Sequence, residues 1–173
     1  MKKKQEDRIQ VLSARNQILT RPQMWIGSMD NTKIDGFLFK GGKLEWGTIE
    51  YVPAFLKIIN EVIDNSIDAI NNSKVDGEIK VNISDNCIEV SDTGPGIPIL
   101  KKNIKDIDKT LPEETRRKIA DSYLPETCWA QLFAGSNFSE NEVTTIGSHG
   151  IGAKASNIFS KKFIAGFIKV YLN

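Results

Sequence analysis

The longest periodic stretch of the chain, Tyr51 to Asn72, constrains the fold most. Stepped at about 100° per residue, Phe55, Ile58, Ile59, Val62, Ile63, Ala69 and Ile70 fall on one broad apolar side. This predicts a long amphipathic helix. Two strand patterns follow it. Glu78 to Ser84 alternates, Cys87 to Ser91 reads as its partner, and Asp85-Asn86 is the turn between them. Upstream, residues 34–47 mix aromatics with glycines and read as a hairpin. Residues 5–20 read as a helix striped by Ile9, Leu12 and Ile18 and stopped by Pro22. Downstream, residues 99–122 are rich in Lys, Asp and Glu and predict a mobile insertion with one short helix from Pro112. Residues 125–134 read as helix, and Thr145 to Ser160 as a glycine-rich turn leading into another. Helices and strands mix without regular βαβ alternation, so the expected class is an α+β sandwich.

The 173 residues suit a single domain. Hydrophobic residues at 40% and charged residues at 26% are ordinary for a globular protein. A net charge of +1 lacks the basic excess of a dedicated nucleic-acid module. If the protein works on DNA, most DNA contacts should lie elsewhere. Cys87 and Cys128 show no CxxC or Cys/His spacing, so each is expected to be a buried thiol and not a zinc ligand. Two lone cysteines fit a reducing compartment. The lysines at the start have no apolar segment behind them, as a secretory signal would. No apolar run approaches the ~20 residues that span a bilayer. The expectation is a soluble cytoplasmic protein with no membrane partner.

The long helix also carries polar residues in a stripe. Glu61, Asn65 and Asp68 cluster within roughly 60°. A carboxylate there can polarise a water as general base. An amide oxygen one turn on can hold Mg²⁺, a hard cation that takes oxygen ligands. Alone, such a stripe is most often a solvated helix face. At the end of the second strand follows Asp92-Thr93-Gly94-Pro95-Gly96-Ile97-Pro98. The Asp offers a carboxylate, and Gly94 and Gly96 offer backbone that can be closely approached. This suits the amino group of a flat heterocycle, with Ile97 and Pro98 as an apolar wall. Alone, it is an ordinary tight turn. The third element is Gly147-Ser148-His149-Gly150-Ile151-Gly152-Ala153-Lys154. A glycine-rich loop opening a helix presents free N–H groups and a favourable dipole to phosphate. The spacing is neither that of a P-loop nor that of a Rossmann turn. His149, the sole histidine, is given a loop-shaping or phosphate-contact role at most.

These three elements, in this order, resemble the boxes of the ATPase fold shared by gyrase-type topoisomerases, HSP90, histidine kinases and MutL-type mismatch-repair proteins (the GHKL fold, a two-layer α/β sandwich). Asn60 to Ala69 resembles the first box, Asp92 to Pro98 the second, and Gly147 to Lys154 the lid. Two further segments resemble the type II topoisomerase branch. They are Arg21-Pro-Gln-Met-Trp-Ile-Gly-Ser28 and Leu132-Phe-Ala-Gly-Ser-Asn-Phe138. The tail Gly152 to Ser160 is similar to eukaryotic and phage versions. Phe37-Leu-Phe39 with Tyr51-Val-Pro53 is similar to the phage large subunit. The resemblance runs from about residue 10 to residue 163.

The resemblance implies ATP and Mg²⁺ as cofactors. Glu61 would activate the attacking water, and Asn65 would bind Mg²⁺. Asp92 would hold the adenine amino group, helped by Gly94 and Gly96, with Ile97 and Pro98 lining the base. Gly147, Ser148, His149, Gly150, Ile151, Gly152, Ala153 and Lys154 would wrap the triphosphate. Asp68 would support the first box. Three positions depart from the family pattern without removing this chemistry: Pro95 for a basic residue, Trp25 for Tyr, and Ser136 for Gly.

On this reading residues 1–173 form one ATP-binding domain, with the lid and insertion in about 99–150. Residues 165–173 form a tail without clear resemblance, and the domain is truncated at its C-terminus. A truncated sheet would leave an unpaired edge, so marginal stability or association is expected. The implied function is ATP-driven dimer closure and DNA strand passage, in a homodimer of the complete enzyme, in the host cytoplasm if the chain is of the bacteriophage kind. DNA would be met through the complete enzyme, with transducer and cleavage modules that this chain lacks. Loss of the transducer lysine would leave feeble turnover. The alternatives are a MutL- or HSP90-like ATPase, against which the Met-Trp-Ile-Gly-Ser and Ala-Gly-Ser-Asn-Phe segments speak, and a nucleotide-binding remnant without turnover, against which Glu61 speaks.

Overall fold

The computed structural model describes residues 11–73, 76–132 and 150–166, and these divide into two compact units, one up to Lys57 and one from Ile58. In the first unit, helix α1 spans Ala14–Thr20. Its start is set by Ser13, whose hydroxyl accepts the Asn16 N–H at 3.3 Å and so satisfies one orphan donor of the first turn. The expected helix from residue 5 is therefore shorter over its described part. Residues 11–13 are not helical, and 5–10 lie outside the described residues. Ile18 is fully buried, as its stripe predicts. Past Pro22 a single helical turn, α2 (Gln23–Ile26), follows. Ser28 then accepts the Ala54 N–H at 2.9 Å, which ties the Ile26-Gly27-Ser28 segment to the start of the long helix.

The aromatic segment is a hairpin. Strands β1 (Thr32–Lys40) and β2 (Lys43–Tyr51) pair antiparallel through Gly41-Gly42, both at positive φ, as a two-residue turn of this kind requires. Phe37 and Trp46 face each other across the strands, rings 4.9 Å apart and edge to face. Further from the turn, Thr48 donates to Asp35 at 2.9 Å.

Helix α3 (Pro53–Ser73) enters the second unit. Pro53 suits a first helical position because its missing N–H would be an orphan anyway. Its expected apolar side is only partly covered: Phe55 is exposed, and Ile58, Ile59, Val62, Ile63, Ala69 and Ile70 are half-buried. In the second unit the most buried positions of α3 are instead Ser66 and Asp68. Strands β3 (Ile79–Ser84) and β4 (Cys87–Asp92) pair antiparallel around Asp85-Asn86. Thr93 closes the open end of this hairpin. Its N–H donates to the Glu78 carbonyl at 3.1 Å, and its hydroxyl accepts the Glu78 N–H at 2.9 Å. The register is thus fixed at the residue before, Asp92.

The charge-rich segment carries more local structure than its composition suggests. A 3-10 turn at Ile104–Asp106 precedes α4 (Glu113–Asp121), and Ile107 is buried between them. Lys101 bridges antiparallel to Tyr123, and the Leu124 N–H donates to the Leu100 carbonyl at 2.7 Å. Helix α5 (Leu124–Ala130) is capped by Glu126, which accepts the Tyr123 N–H at 2.9 Å. It ends at Ala130, short of the expected residue 134. Helix α6 (Gly152–Phe159) follows the glycine-rich loop. Asn157 donates to the Trp129 carbonyl at 3.1 Å, which fixes α6 to α5.

The cysteines correct one expectation. Cys87 is exposed, because it opens β4 on the polar face shared with Asn82 and Glu89. Cys128 is half-buried, and that burial pushes its thiol upward against the opposing pull of Lys154 and Lys102. Only a thiolate alkylates. Iodoacetamide at pH 8 is therefore expected to label Cys87 first, with Cys128 slower by on the order of tenfold or more. Peptide mass spectrometry over time checks this, and equal rates would contradict the packing of α5.

Candidate functional site

Three segments of the second unit come together, one of them on α3 itself. The stripe Glu61, Asn65 and Asp68 is no solvated face, since Glu61 is half-buried and Asp68 is only 6% exposed. Asn65 is exposed, and its side-chain amide donates back to the Glu61 carbonyl one turn earlier. With the NH₂ end engaged by its own helix, the amide oxygen is the other end of the group. This is the donor type a hard cation such as Mg²⁺ takes.

The second segment joins α3 through Ser66, one residue beyond Asn65. The Ser66 hydroxyl, in a residue 7% exposed, donates to Asp92 Oδ2 at 2.8 Å. The other carboxylate oxygen, Oδ1, accepts the Gly94 N–H at 2.9 Å. Gly94 also packs on the helix: a Cβ there would lie 3.1 Å from that of Ala69. Gly96 sits at φ 67°, a conformation that side chains strain, so this turn needs a glycine there. Ile97 is half-buried and Pro98 exposed beside it.

The third segment meets the other end of the stripe. A Cβ on Gly152 would lie 1.5 Å from Glu61 Oε2. The Glu61 carboxylate therefore lies against the first residue of α6, where the helix dipole favours negative charge. Ser156 fixes this approach by donating to the Ile58 carbonyl at 2.6 Å. Gly150 and Ile151 lead into the helix, and Ala153 and Lys154 are buried within it. Burial pushes the Lys154 amine below its ordinary range, partly offset by Cys128. Gly147, Ser148 and His149 lie outside the described residues.

Sequence reasoning assigned no contact at the site to four residues that hold this arrangement: Ser66, Ala69, Thr93 and Ser156. The signal for the first two was present. Ser66 and Ala69 are small residues three apart, one on the side of α3 that a strand end can approach closely. Thr93 and Ser156 act through backbone partners distant in sequence, and no local pattern announces them.

The family model described as histidine kinase-, DNA gyrase B- and HSP90-like ATPase matches residues 51–171. The DNA topoisomerase 2 of Crithidia fasciculata is 34% identical over 89% of the chain, which spans 12% of that relative. The DNA topoisomerase large subunit of Enterobacteria phage T4 is 34% identical over 92% of the chain, which spans 28% of it. Among solved structures, the ATPase region of Saccharomyces cerevisiae topoisomerase II matches with a TM-score of 0.73 at 29% identity, covering 89% of this chain and 38% of that one. The ATPase and transducer domains of DNA topoisomerase II from Balamuthia mandrillaris match with 0.76 at 30% identity, covering 92% and 38%. The chain thus spans a minor part of each of these proteins, and its mixed helix-and-strand fold is theirs.

Proposed function

The chain belongs to the histidine kinase-, DNA gyrase B- and HSP90-like ATPase family, and on that footing we propose that it is the ATP-operated part of a type II DNA topoisomerase. One observation carries the reading. A single helix holds both ends of a nucleotide-sized site: Ser66 grips Asp92, and five residues earlier Glu61 lies on Gly152. Five residues of helix span about 7.5 Å, a separation that suits a base at one end and phosphates at the other.

Asp92 accepts a hydrogen from the adenine amino group. Gly94 and Gly96 bring backbone close to the base, and Ile97 and Pro98 line it. Gly147, Ser148, His149, Gly150, Ile151, Gly152, Ala153 and Lys154 wrap the triphosphate, where the Lys154 ammonium would face the negative charge. Asn65 offers its amide oxygen to Mg²⁺, which when bound neutralises charge on the phosphates. Glu61 takes the proton of the attacking water. Nucleotide binding closes a dimer of the complete enzyme on DNA and hydrolysis reopens it, in the cytoplasm. No described helix is long and apolar enough to cross a membrane.

Calorimetric titration with adenylyl imidodiphosphate and Mg²⁺ tests the base site. The expected result is saturable binding by the natural chain and none by Asp92→Ala. A variant that binds as well as the natural chain would remove Asp92 from the site.

A further inference from the structure

We infer that Ser66 is the positioning residue that makes this site choose adenine over guanine nucleotides. The inference rests on the proposal that Asp92 receives the base. Asp92 itself is exposed, and an exposed carboxylate ordinarily turns freely and meets a base through water. Here it is held at both oxygens. Ser66 donates to Oδ2 from within α3, and the Gly94 N–H donates to Oδ1. Two donors on two oxygens fix both side-chain torsions, and the lone pairs that remain can only accept.

This has a chemical consequence. Adenine presents an amino group at the position where guanine presents a carbonyl oxygen. A fixed carboxylate meets the amine as a hydrogen bond and the carbonyl as two facing acceptors. The Ser66 proton is committed to Asp92, so the hydroxyl has none to offer a guanine carbonyl. A site of fixed acceptors rejects the wrong partner more strongly than one that can reorient. Ser66 does not need to touch the base. It acts by denying Asp92 the rotation that would let a water step between carboxylate and guanine.

The same serine ties base to phosphates. It follows Asn65 on α3, and Ala69, one turn on, packs against Gly94. The turn that receives the base is therefore registered on the helix that carries Glu61 and Asn65.

The test is titration of the natural chain, Ser66→Ala and Ser66→Thr with adenylyl and with guanylyl imidodiphosphate, each with Mg²⁺. Ser66→Ala is expected to weaken adenylyl binding by on the order of tenfold, the scale of a lost hydrogen bond to a charged group. Guanylyl binding should change little, so the preference narrows by the same factor. Ser66→Thr keeps the hydroxyl and restores the preference. A serine that only supports the fold would lower both affinities together, so a folded Ser66→Ala with an unchanged ratio overturns the inference and leaves the Asp92 reading standing. A natural chain that binds neither nucleotide overturns that reading, and the inference with it. Should Ser66→Ala not fold, Ser66→Cys, close in shape and a weak donor, is read against the same two outcomes.

Discussion

Gly152→Ala is expected to lose hydrolysis by ~10²-fold or more, the scale set by misplacing a catalytic group by about an ångström. In an ordinary helix the substitution would help, since alanine is favoured over glycine by about 1 kcal/mol. Here the new Cβ would sit 1.5 Å from Glu61 Oε2 and 2.5 Å from Glu61 Cδ. Both distances lie far inside van der Waals contact, so the steric term overrides propensity. Glu61 must swing away, and because Ser156 holds α6 to the Ile58 carbonyl, the helix itself has little room to retreat. The residual strain should lower stability by about 1–3 kcal/mol, the range for overpacking a filled site. Nucleotide binding should weaken as the entry to α6 is displaced.

A second substitution separates steric from chemical loss. In Glu61→Ala/Gly152→Ala the opposing carboxylate is gone. Thermal stability and binding should then return toward natural values while hydrolysis does not, a large departure from additivity between touching residues. Melting curves, titration and phosphate release on the four proteins check it. Additive losses, or a Gly152→Ala protein with full activity, would mean that the lid helix does not bear on Glu61.

The contact explains what the sequence could and could not tell. The long helix, both hairpins and the helix after the glycine-rich loop were legible, because each rests on a local pattern: apolar period, alternation, or a turn of suitable residues. Boundaries were less so. Helix α1 begins only after Ser13 because that hydroxyl caps it, a choice among several polar residues that periodicity does not make. The chain after Asp92 was legible as a carboxylate and glycines. The partner of that carboxylate was not, because Ser66 lies 26 residues away on another element. Nor was it legible that a side chain at position 152 would meet Glu61. Three glycines in a loop suggest freedom of backbone, whereas a Cβ at this one would displace the carboxylate of a residue far earlier in the chain.

Glu61→Gln separates the base from everything else that Glu61 does. The amide keeps the length and shape of the side chain, so Gly152 still meets a group of the same size and α6 keeps its seat. What is lost is the ability to take a proton. General-base catalysis typically contributes ~10²–10⁴-fold, and hydrolysis should fall by that factor. Binding of adenylyl imidodiphosphate should hold or tighten. The carboxylate lies at the start of α6, on the side where the triphosphate is proposed to sit, and there it opposes incoming negative charge. Replacing it by a neutral amide removes that repulsion. The pair of readouts makes the assignment testable in both directions. Radiolabelled phosphate released over hours follows even slow turnover, and titration follows affinity. Turnover unchanged in Glu61→Gln would deny Glu61 the role of base. Binding lost together with turnover would instead make Glu61 a structural prop for the lid, with the water activated by another group.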